Sequence, residues 1–282
     1  MKKHTFDLII ATLGRLEEVD KILNSLAHQD YDLSLVHIWI VDQNDKIDLK
    51  PVIAKYSSIL DIHHLMSDRK GLAYNRNIAL KDRKSDIIAF PDDDCEYYPD
   101  TLSSVNNLAN QYDQIDCFLG RIIDRKTGEN IIRNWGRKER KITESNFYRN
   151  YSSITIFLRN LSKYPIRFCD QLGSGQYFGS CEDTDFLIQL LRHNCKILYT
   201  PTIEVWHPAQ KIVQFNESKA WHYGLGFGAF CKKNSCKTLM FEAIVYHSIF
   251  YVLSFFSGNP NDRKIRMNSI KSRIQGWKEW NN

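Results

Sequence analysis

The first third of the chain alternates between short apolar runs and stretches with helical spacing, and this alternation narrows the fold more than any other feature. Asp7-Leu8-Ile9-Ile10-Ala11-Thr12 reads as a strand. Gly14 breaks it, and Leu16, Val19, Ile22, Leu23 and Leu26 then recur on one helix face. A second strand, Val36–Val41, ends on Asp42. A short helix at Val52–Tyr56, a third strand at Ile59–His64, a helix over Gly71–Leu80 and a fourth strand at Asp86–Phe90 follow. Strands separated by helices need crossover connections, which are right-handed and produce a parallel sheet. The expected class is α/β, a Rossmann-like, mainly parallel central sheet flanked by helices. No GxGxxG follows the first strand and no GxxxxGK[ST] occurs, which disfavours a dinucleotide or P-loop site.

Directly after the fourth strand, Pro91 forces the chain out of the sheet and Asp92-Asp93-Asp94 follow. Adjacent carboxylates repel one another, so the run makes sense where something positive binds. The carboxyl ends of strands in an open α/β sheet are where ligands sit. Mg²⁺ and Mn²⁺ take carboxylate oxygens and bridge phosphates. The structural alternative is an acidic turn that caps a helix starting near Pro99. A second acidic group lies downstream, where a glycine-rich stretch from Leu172 runs into Glu182-Asp183-Thr184-Asp185. These acids open a helix whose apolar face is Phe186, Leu187, Leu190 and Leu191. An acid in a first helical turn gains about 0.3–1 kcal/mol from the helix dipole, which accounts for one of them rather than all. Between the two groups, Cys117–Ile123 and Ile154–Leu158 read as strands, and Asp124–Arg149 as a polar, basic surface loop. Lys196–Tyr199 reads as a strand stopped by Pro201, with Val205-Trp206-His207-Pro208 after it.

Composition excludes several classes. Of 282 residues, 43% are hydrophobic and 25% charged, with a net charge of +5, an ordinary globular profile without a nucleic-acid signature. The basic residues concentrate in Arg133–Lys141 and Arg263–Lys278. Seven cysteines without a CxxC pair argue against zinc and against a disulfide framework, and fit thiols in a reducing cytosol. The N-terminus lacks the apolar core of a signal peptide. The nearest approach to a membrane span, Leu239–Phe256, is interrupted by Glu242, His247 and two serines.

Taken in order, the motifs resemble those of family 2 glycosyltransferases with the GT-A fold. They are the strand ending in Thr12, the strand ending in Asp42, Gly71-x-x-x-x-Arg76-Asn77, Asp92–Asp94, the glycine-rich loop into Glu182-Asp183-x-Asp185, and His207-Pro208. The resemblance implies a nucleotide-sugar-binding catalytic domain over 1–215 and a C-terminal helical extension over 216–282. It implies that Asp94, with Asp92 and His207, holds Mn²⁺ or Mg²⁺ against a diphosphate. Thr12, Arg15, Asp42, Arg76, Asp92 and Asp93 would line the nucleotide pocket, with Asp42 accepting from the base. Asp183 would be the catalytic base, and Glu182 would shape the acceptor pocket. The implied activity is inverting transfer of a hexose from a UDP-sugar to a hydroxyl of a glycan or lipid-linked glycan in surface polysaccharide synthesis, such as a capsule or O-antigen. A base for the acceptor hydroxyl and a cation for the leaving diphosphate are what that chemistry requires.

The residues also admit plainer roles. Asp42 would cap a turn, Arg76 would make a surface ion pair, His207 would be a packed histidine, and Asp185 would only stabilise its helix. His63, His64 and His193 lack metal-ligand spacing. A nucleotidyltransferase of similar architecture is disfavoured by the missing glycine- and lysine-rich loop. A non-catalytic glycan- or nucleotide-binding relative is disfavoured by intact Asp94 and Asp183. Gly224-x-Gly226-x-Gly228 does not follow a strand and is no phosphate loop. The apolar Leu239–Phe256 and the basic tail with Trp277 and Trp280 read as two helices. Basic residues beside tryptophans favour a pair lying on the anionic inner leaflet of a cell membrane, on its cytoplasmic face, over one packed on the core.

Overall fold

The computed structural model describes residues 1–81, 83–208, 217–257 and 260–281. The described residues divide into two compact units. Those of Met1–Lys70, Tyr74–Arg167 and Leu187–Ala209 form one, and those of Gly71–Ala73, Phe168–Phe186 and Gln210–Asn282 form the other.

In chain order the elements are β1 (Phe6–Thr12), α1 (Glu17–Ala27), β2 (Val36–Asp42), α2 (Lys50–Tyr56), β3 (Asp61–Met66), α3 (Leu72–Leu80), β4 (Ile87–Ala89), β5 (Glu96–Tyr97), α4 (Thr101–Gln111), β6 (Cys117–Asp124), β7 (Glu129–Asn130), β8 (Arg140–Ile142), β9 (Ile156–Arg159), α5 (Glu182–Arg192) and β10 (Ile197–Trp206). Three further helices, α6 (Glu217–Lys233), α7 (Lys237–Ser257) and α8 (Pro260–Glu279), follow.

The first unit holds one sheet in the order β3-β2-β1-β4-β9-β6-β10-β5, with β7 on β6 and β8 on β10. β1 pairs in parallel with β2 and β4, β2 with β3, and β6 with β10. β9 runs antiparallel between β4 and β6. Every residue of β1 and β4 is buried, as expected of strands covered on both faces. Helix α1 turns Val19, Ile22, Leu23 and Leu26 inward and carries Glu17, Glu18 and Asp20 in its first turn, where the dipole favours acids.

Three local expectations need correction. The third strand starts at Asp61, leaving Ile59 53% exposed. Pro201 does not stop the strand after Tyr199. It sits inside β10 where the register with β6 shifts between Tyr199 and Glu204, an irregularity in which the missing N–H costs no ladder bond. The stretch Asp124–Arg149 is not simply a surface loop. It contributes β7 and β8 and buries Ile131, Trp135, Ile142 and Phe147. Trp135 stacks on Tyr199 at 6.5 Å, and the Tyr199 hydroxyl donates to the Gly136 carbonyl at 2.6 Å.

The two helices expected over Leu239–Phe256 and the basic tail are present as α7 and α8, and among the described residues α6 precedes them. The glycines that form no phosphate loop are an interhelical seam. A Cβ on Gly228 would collide with the Arg273 carbonyl and stand 2.7 Å from the Trp277 nitrogen, and one on Gly276 would strike the Leu225 carbonyl. Only glycine allows α6 and α8 to approach this closely. Trp280 is 5% exposed and packs on Phe178 at 5.3 Å, so it is no interfacial anchor, while Trp277 is part-buried under Lys232. Helix α7 is different. Lys237–Phe256 is, by length and composition, long and apolar enough to cross a membrane, and only 6% of the best stretch is buried.

Candidate active site

The acidic run leaves the sheet at the carboxyl end of β4, between β1 and β9. Phe90 is buried, Pro91 turns the chain outward, and the Cys95 N–H returns to the Asp92 carbonyl at 3.3 Å, which closes a turn around the carboxylates. β5 then pairs antiparallel with the end of β10, Tyr97 against Val205 and Glu96 against Trp206. Continuing that register brings His207 to the acidic run, and its Nε2 stands 3.3 Å from Asp94 Oδ1. Arg15, just past β1, reaches Asp94 Oδ2 at 3.0 Å and Glu18 at 3.1 Å. Arg76 on α3 donates to Asp92 Oδ1 at 2.6 Å. Its side chain is 0% exposed, so the surface ion pair considered from sequence is excluded.

The electrostatics separate the three aspartates. Burial pushes the Asp93 carboxyl up to about 6, aided by Asp92 and Asp94 and opposed by the Thr12 hydroxyl and Arg15. For Asp94 burial acts in the same direction, but the His207 imidazole and Arg15 outweigh it and hold the carboxyl below its ordinary value. The reciprocal holds for His207. Burial works against its charge, and Asp94 nonetheless raises its pKa. The donor atoms of Asp92, Asp94 and His207 lie within 4.8 Å of one another. Two carboxylates with one imidazole are a mixed oxygen and nitrogen donor set that suits Mn²⁺, and the carboxylates also suit Mg²⁺. The set therefore fits a divalent cation.

A second group of possible ligands appears that the sequence concealed. His37 and His63 both meet Asp61 Oδ2, at 2.6 and 3.2 Å, because β2 and β3 pair His37 with Asp61. His63 thus has partners across the strands that its own sequence spacing did not reveal. This group lies at the amino ends of β2 and β3, away from the ligand-binding end of the sheet. Trp39 stacks on His63 at 3.8 Å.

Thr12 and Asp42 are the last rung of the β1–β2 ladder. Asp42 is 1% exposed. Its Oδ1 accepts from the Asn44 N–H at 2.9 Å and from Asn44 Nδ2 at 2.8 Å, and Oδ2 meets His64 Nε2 at 2.9 Å. Asn44 and His64 are positioning residues that sequence reasoning missed. The Asp-x-Asn spacing of an Asx turn was the available signal for Asn44. Thr12, Arg15, Asp42, Arg76, Asp92, Asp93, Asp94 and His207 all belong to the first unit.

Glu182 and Asp183 belong to the second. Gly173 takes φ +99°, and a Cβ there would stand 2.7 Å from Glu182 Oε2. Cys181 takes the left-handed conformation, φ +70°, at the turn into α5, and burial raises its thiol to about 12, which keeps it protonated. Glu182 is buried at 8% exposure, while Asp183 stays half-buried and accepts the Thr184 N–H at 2.7 Å. Asp185 is fully buried and is held by Lys233 at 2.8 and 3.0 Å and by Asn234 at 2.7 Å. The acids at the start of α5 therefore divide between structure and exposure, with Asp185 structural. An open cleft of about 470 Å³ in the same unit is lined by Ser174, Gly175, Gln176, Gly179, Lys219 and His222.

The sequence model described as Glycosyl transferase family 2 matches residues 7–170. The poly(ribitol-phosphate) beta-N-acetylglucosaminyltransferase TarS of Staphylococcus aureus is 27% identical over 109 residues, 38% of this chain and 19% of that protein. The match thus spans about a fifth of the curated relatives' length. Among solved structures, S. aureus TarS 1–349 superposes with a TM-score of 0.61 at 15% identity, covering 98% of this chain and 91% of that one. The complex of the same protein with UDP-GlcNAc gives 0.59 at 16% identity, with coverage of 98% and 91%. The mannosyltransferase PcManGT of Pyrobaculum calidifontis, solved with GDP-Man and Mn²⁺, gives 0.59 at 11%, with coverage of 98% and 74%. At these identities the superpositions establish the GT-A fold.

Proposed function

The chain belongs to glycosyl transferase family 2 and is a glycosyltransferase, and from that premise we propose that it moves a hexose from a UDP-sugar, with inversion and with a divalent cation, to a hydroxyl of a glycan or lipid-linked glycan acceptor in surface polysaccharide synthesis. The observation that carries this reading is the convergence of Asp92, Asp94 and His207 beside the Thr12–Asp42 rung. TarS has been solved with UDP and with UDP-GlcNAc, which supports a uridine donor, and PcManGT with Mn²⁺, which supports the cation.

The residues divide the chemistry. Asp42, fixed by Asn44 and His64, presents a carboxylate at the end of β2 to a donor of the nucleobase. Thr12 and Arg15 line the same end of the sheet. Arg76 fixes Asp92 from below. Asp92, Asp94 and His207 would hold Mn²⁺ or Mg²⁺, which would neutralise charge developing on the departing diphosphate. Asp93, its carboxyl raised to about 6, contacts Thr12 and is the least suited of the three to serve as a ligand. Asp183 takes the proton of the attacking hydroxyl, a role that contributes about 10²–10⁴-fold. Asp185 is engaged by Lys233 and Asn234 and Glu182 is buried against Gly173, which leaves the half-buried Asp183 to face substrate. Attack assisted by one base, with no covalent step, inverts the anomeric carbon.

The test is donor turnover. Purified protein is incubated with a panel of UDP- and GDP-sugars, with Mn²⁺, Mg²⁺ or EDTA, and nucleoside diphosphate release is measured. A UDP-sugar hydrolysed with Mn²⁺, lost in EDTA and in Asp94→Ala, is the expected result. An unchanged rate in Asp94→Ala would remove the cation assignment. Retention of anomeric configuration in the product, read by NMR, would remove the inverting mechanism.

A further inference from the structure

Helix α7 exposes an apolar surface that neither donor nor acceptor chemistry uses. Phe241 is 69% exposed, Ile249 53%, Val252 56%, Leu253 51%, Phe255 54% and Phe256 85%. At 3.6 residues per turn, these positions with Val245, Tyr246 and Phe250 sweep roughly 220° of the helix circumference. The remaining arc carries Ala243, Ile244, His247, Tyr251 and Ser254, none of them exposed, and α8 packs alongside α7. Between Leu239 and Phe256 the only formal charge is Glu242, which is exposed and interrupts this arc between Ile249 and Leu253. Burial, with Arg273 and Arg266 nearby, pushes His247 down to about 3, so it adds no charge.

The rim of this surface is basic. Arg263 lies over the Phe255 ring at 5.0 Å, and Arg266 over Phe250 at 5.1 Å and Tyr246 at 5.9 Å. Helix α8 carries six lysines and arginines against two acids. A second copy of the chain would cover one side of α7 and leave much of the arc in water. A transbilayer path would strip α8 from the inner arc with His247 and Ser254 and place those groups in hydrocarbon. A bilayer surface instead takes up the whole outer arc and meets the guanidinium groups at headgroup level.

We propose that α7 beds its outer face in the surface of an anionic lipid bilayer, with the basic residues of α8 against the headgroups, so that the protein is held peripherally. The inference does not depend on the donor or acceptor assigned above.

The experiment is co-sedimentation of the full chain with vesicles of phosphatidylcholine alone and of phosphatidylcholine mixed with phosphatidylglycerol. Binding to the mixed vesicles, weaker to the neutral ones and falling with salt, is expected. Phe255→Ser with Phe256→Ser lowers the partition coefficient at least about tenfold, since each ring loses its burial in lipid. The circular dichroism spectrum and donor hydrolysis stay unchanged, because both rings are exposed in the protein itself. Arg263→Gln with Arg266→Gln lowers binding to the anionic vesicles about tenfold or more and leaves the neutral ones unaffected. Absence of vesicle binding overturns the proposal. So does binding that survives high salt and alkaline carbonate, which marks a span. A dimer in light scattering that the phenylalanine pair abolishes, without vesicle binding, assigns the face to a second copy and also overturns it.

Discussion

Substitution of Arg76 by methionine probes the geometry of the site most directly. The guanidinium is fully buried and donates to Asp92 Oδ1 at 2.6 Å, while the Asp92 side chain keeps 30% of its exposure. Methionine preserves most of the volume, so the loss is chiefly electrostatic. Removing one partner of a fully buried pair costs about 3–5 kcal/mol. Asp92 reaches solvent and screens part of its charge, which brings the expected cost to about 1–3 kcal/mol. For a chain of this size that corresponds to a drop in Tm of roughly 3–10 °C. The same bond ties stability to the cation. With Arg76 gone, Asp92 loses the guanidinium counter-charge, and Mn²⁺ bound by Asp92, Asp94 and His207 would supply a new one. Differential scanning fluorimetry in EDTA and in saturating Mn²⁺ reads both effects. Arg76→Met melts lower in EDTA, and Mn²⁺ raises its Tm by more than it raises that of the parent. A double-mutant cycle with Asp92→Asn returns a coupling of about 1 kcal/mol or more. An unchanged Tm in EDTA, or an equal Mn²⁺ response in both proteins, would refute the claim that Arg76 and the cation act on one carboxylate.

Three other outcomes follow from the structure. Asp183→Asn lowers sugar transfer by about 10²–10⁴-fold with the melting curve unchanged, whereas Asp185→Ala, which removes a buried acceptor from Lys233 and Asn234, destabilises by about 2–4 kcal/mol; paired activity and urea-unfolding assays separate the two. The His207–Asp94 pair sets a pH window. The stability it draws from the raised His207 pKa is full below the unfolded histidine value and is lost as pH rises through the folded value. The part drawn from the lowered Asp94 pKa is present above the unfolded carboxyl value and is lost as pH falls through the folded one. Mn²⁺ must displace the His207 proton, so its affinity, measured by calorimetry, rises with pH across the histidine range and does so less steeply in His207→Gln. Finally, Gly228→Val drives a side chain into the Arg273 carbonyl and costs about 1–3 kcal/mol or more, visible as faster limited proteolysis of the tail helices, with Gly228→Ala intermediate.

What the sequence made legible follows from what its signals measure. β1, β2 and β4 announce themselves because strands buried on both faces are written as apolar runs, and Asp92–Asp94 is visible because it interrupts one. The GT-A class followed from their order. β5 and β8 have too few residues for any period, and they exist because β10 offers them an edge. Pro201 was misjudged because a register shift arises from pairing with β6 and leaves no local mark. The burial of Arg76 was hidden, since an arginine on a short helix looks the same whether it faces water or Asp92. The link from His37 through Asp61 to His63 was hidden in the same way, because a contact across two strands depends on a register that neither strand encodes alone. The glycines of α6 pointed to close approach without naming α8 as the neighbour. Trp280 misled because composition does not separate a buried tryptophan from an interfacial one, whereas a row of exposed rings lies on α7.

The short antiparallel pairing of β5 with the end of β10 has a consequence for how the enzyme comes into being. Asp92 and Asp94 leave the ribosome long before His207, and the histidine reaches them only when the sheet's late strand has been laid down and its last two residues have found Glu96 and Tyr97. A partly synthesised chain carries carboxylates without their imidazole, and its nucleotide pocket lacks the full set of donor atoms. Cation capture by the proposed site would thereby be deferred until most of the sheet has been assembled. Under the proposed function, an unfinished chain would be spared the wasteful hydrolysis of activated sugar, and in the finished one a bound ion would clamp the edge ladder shut.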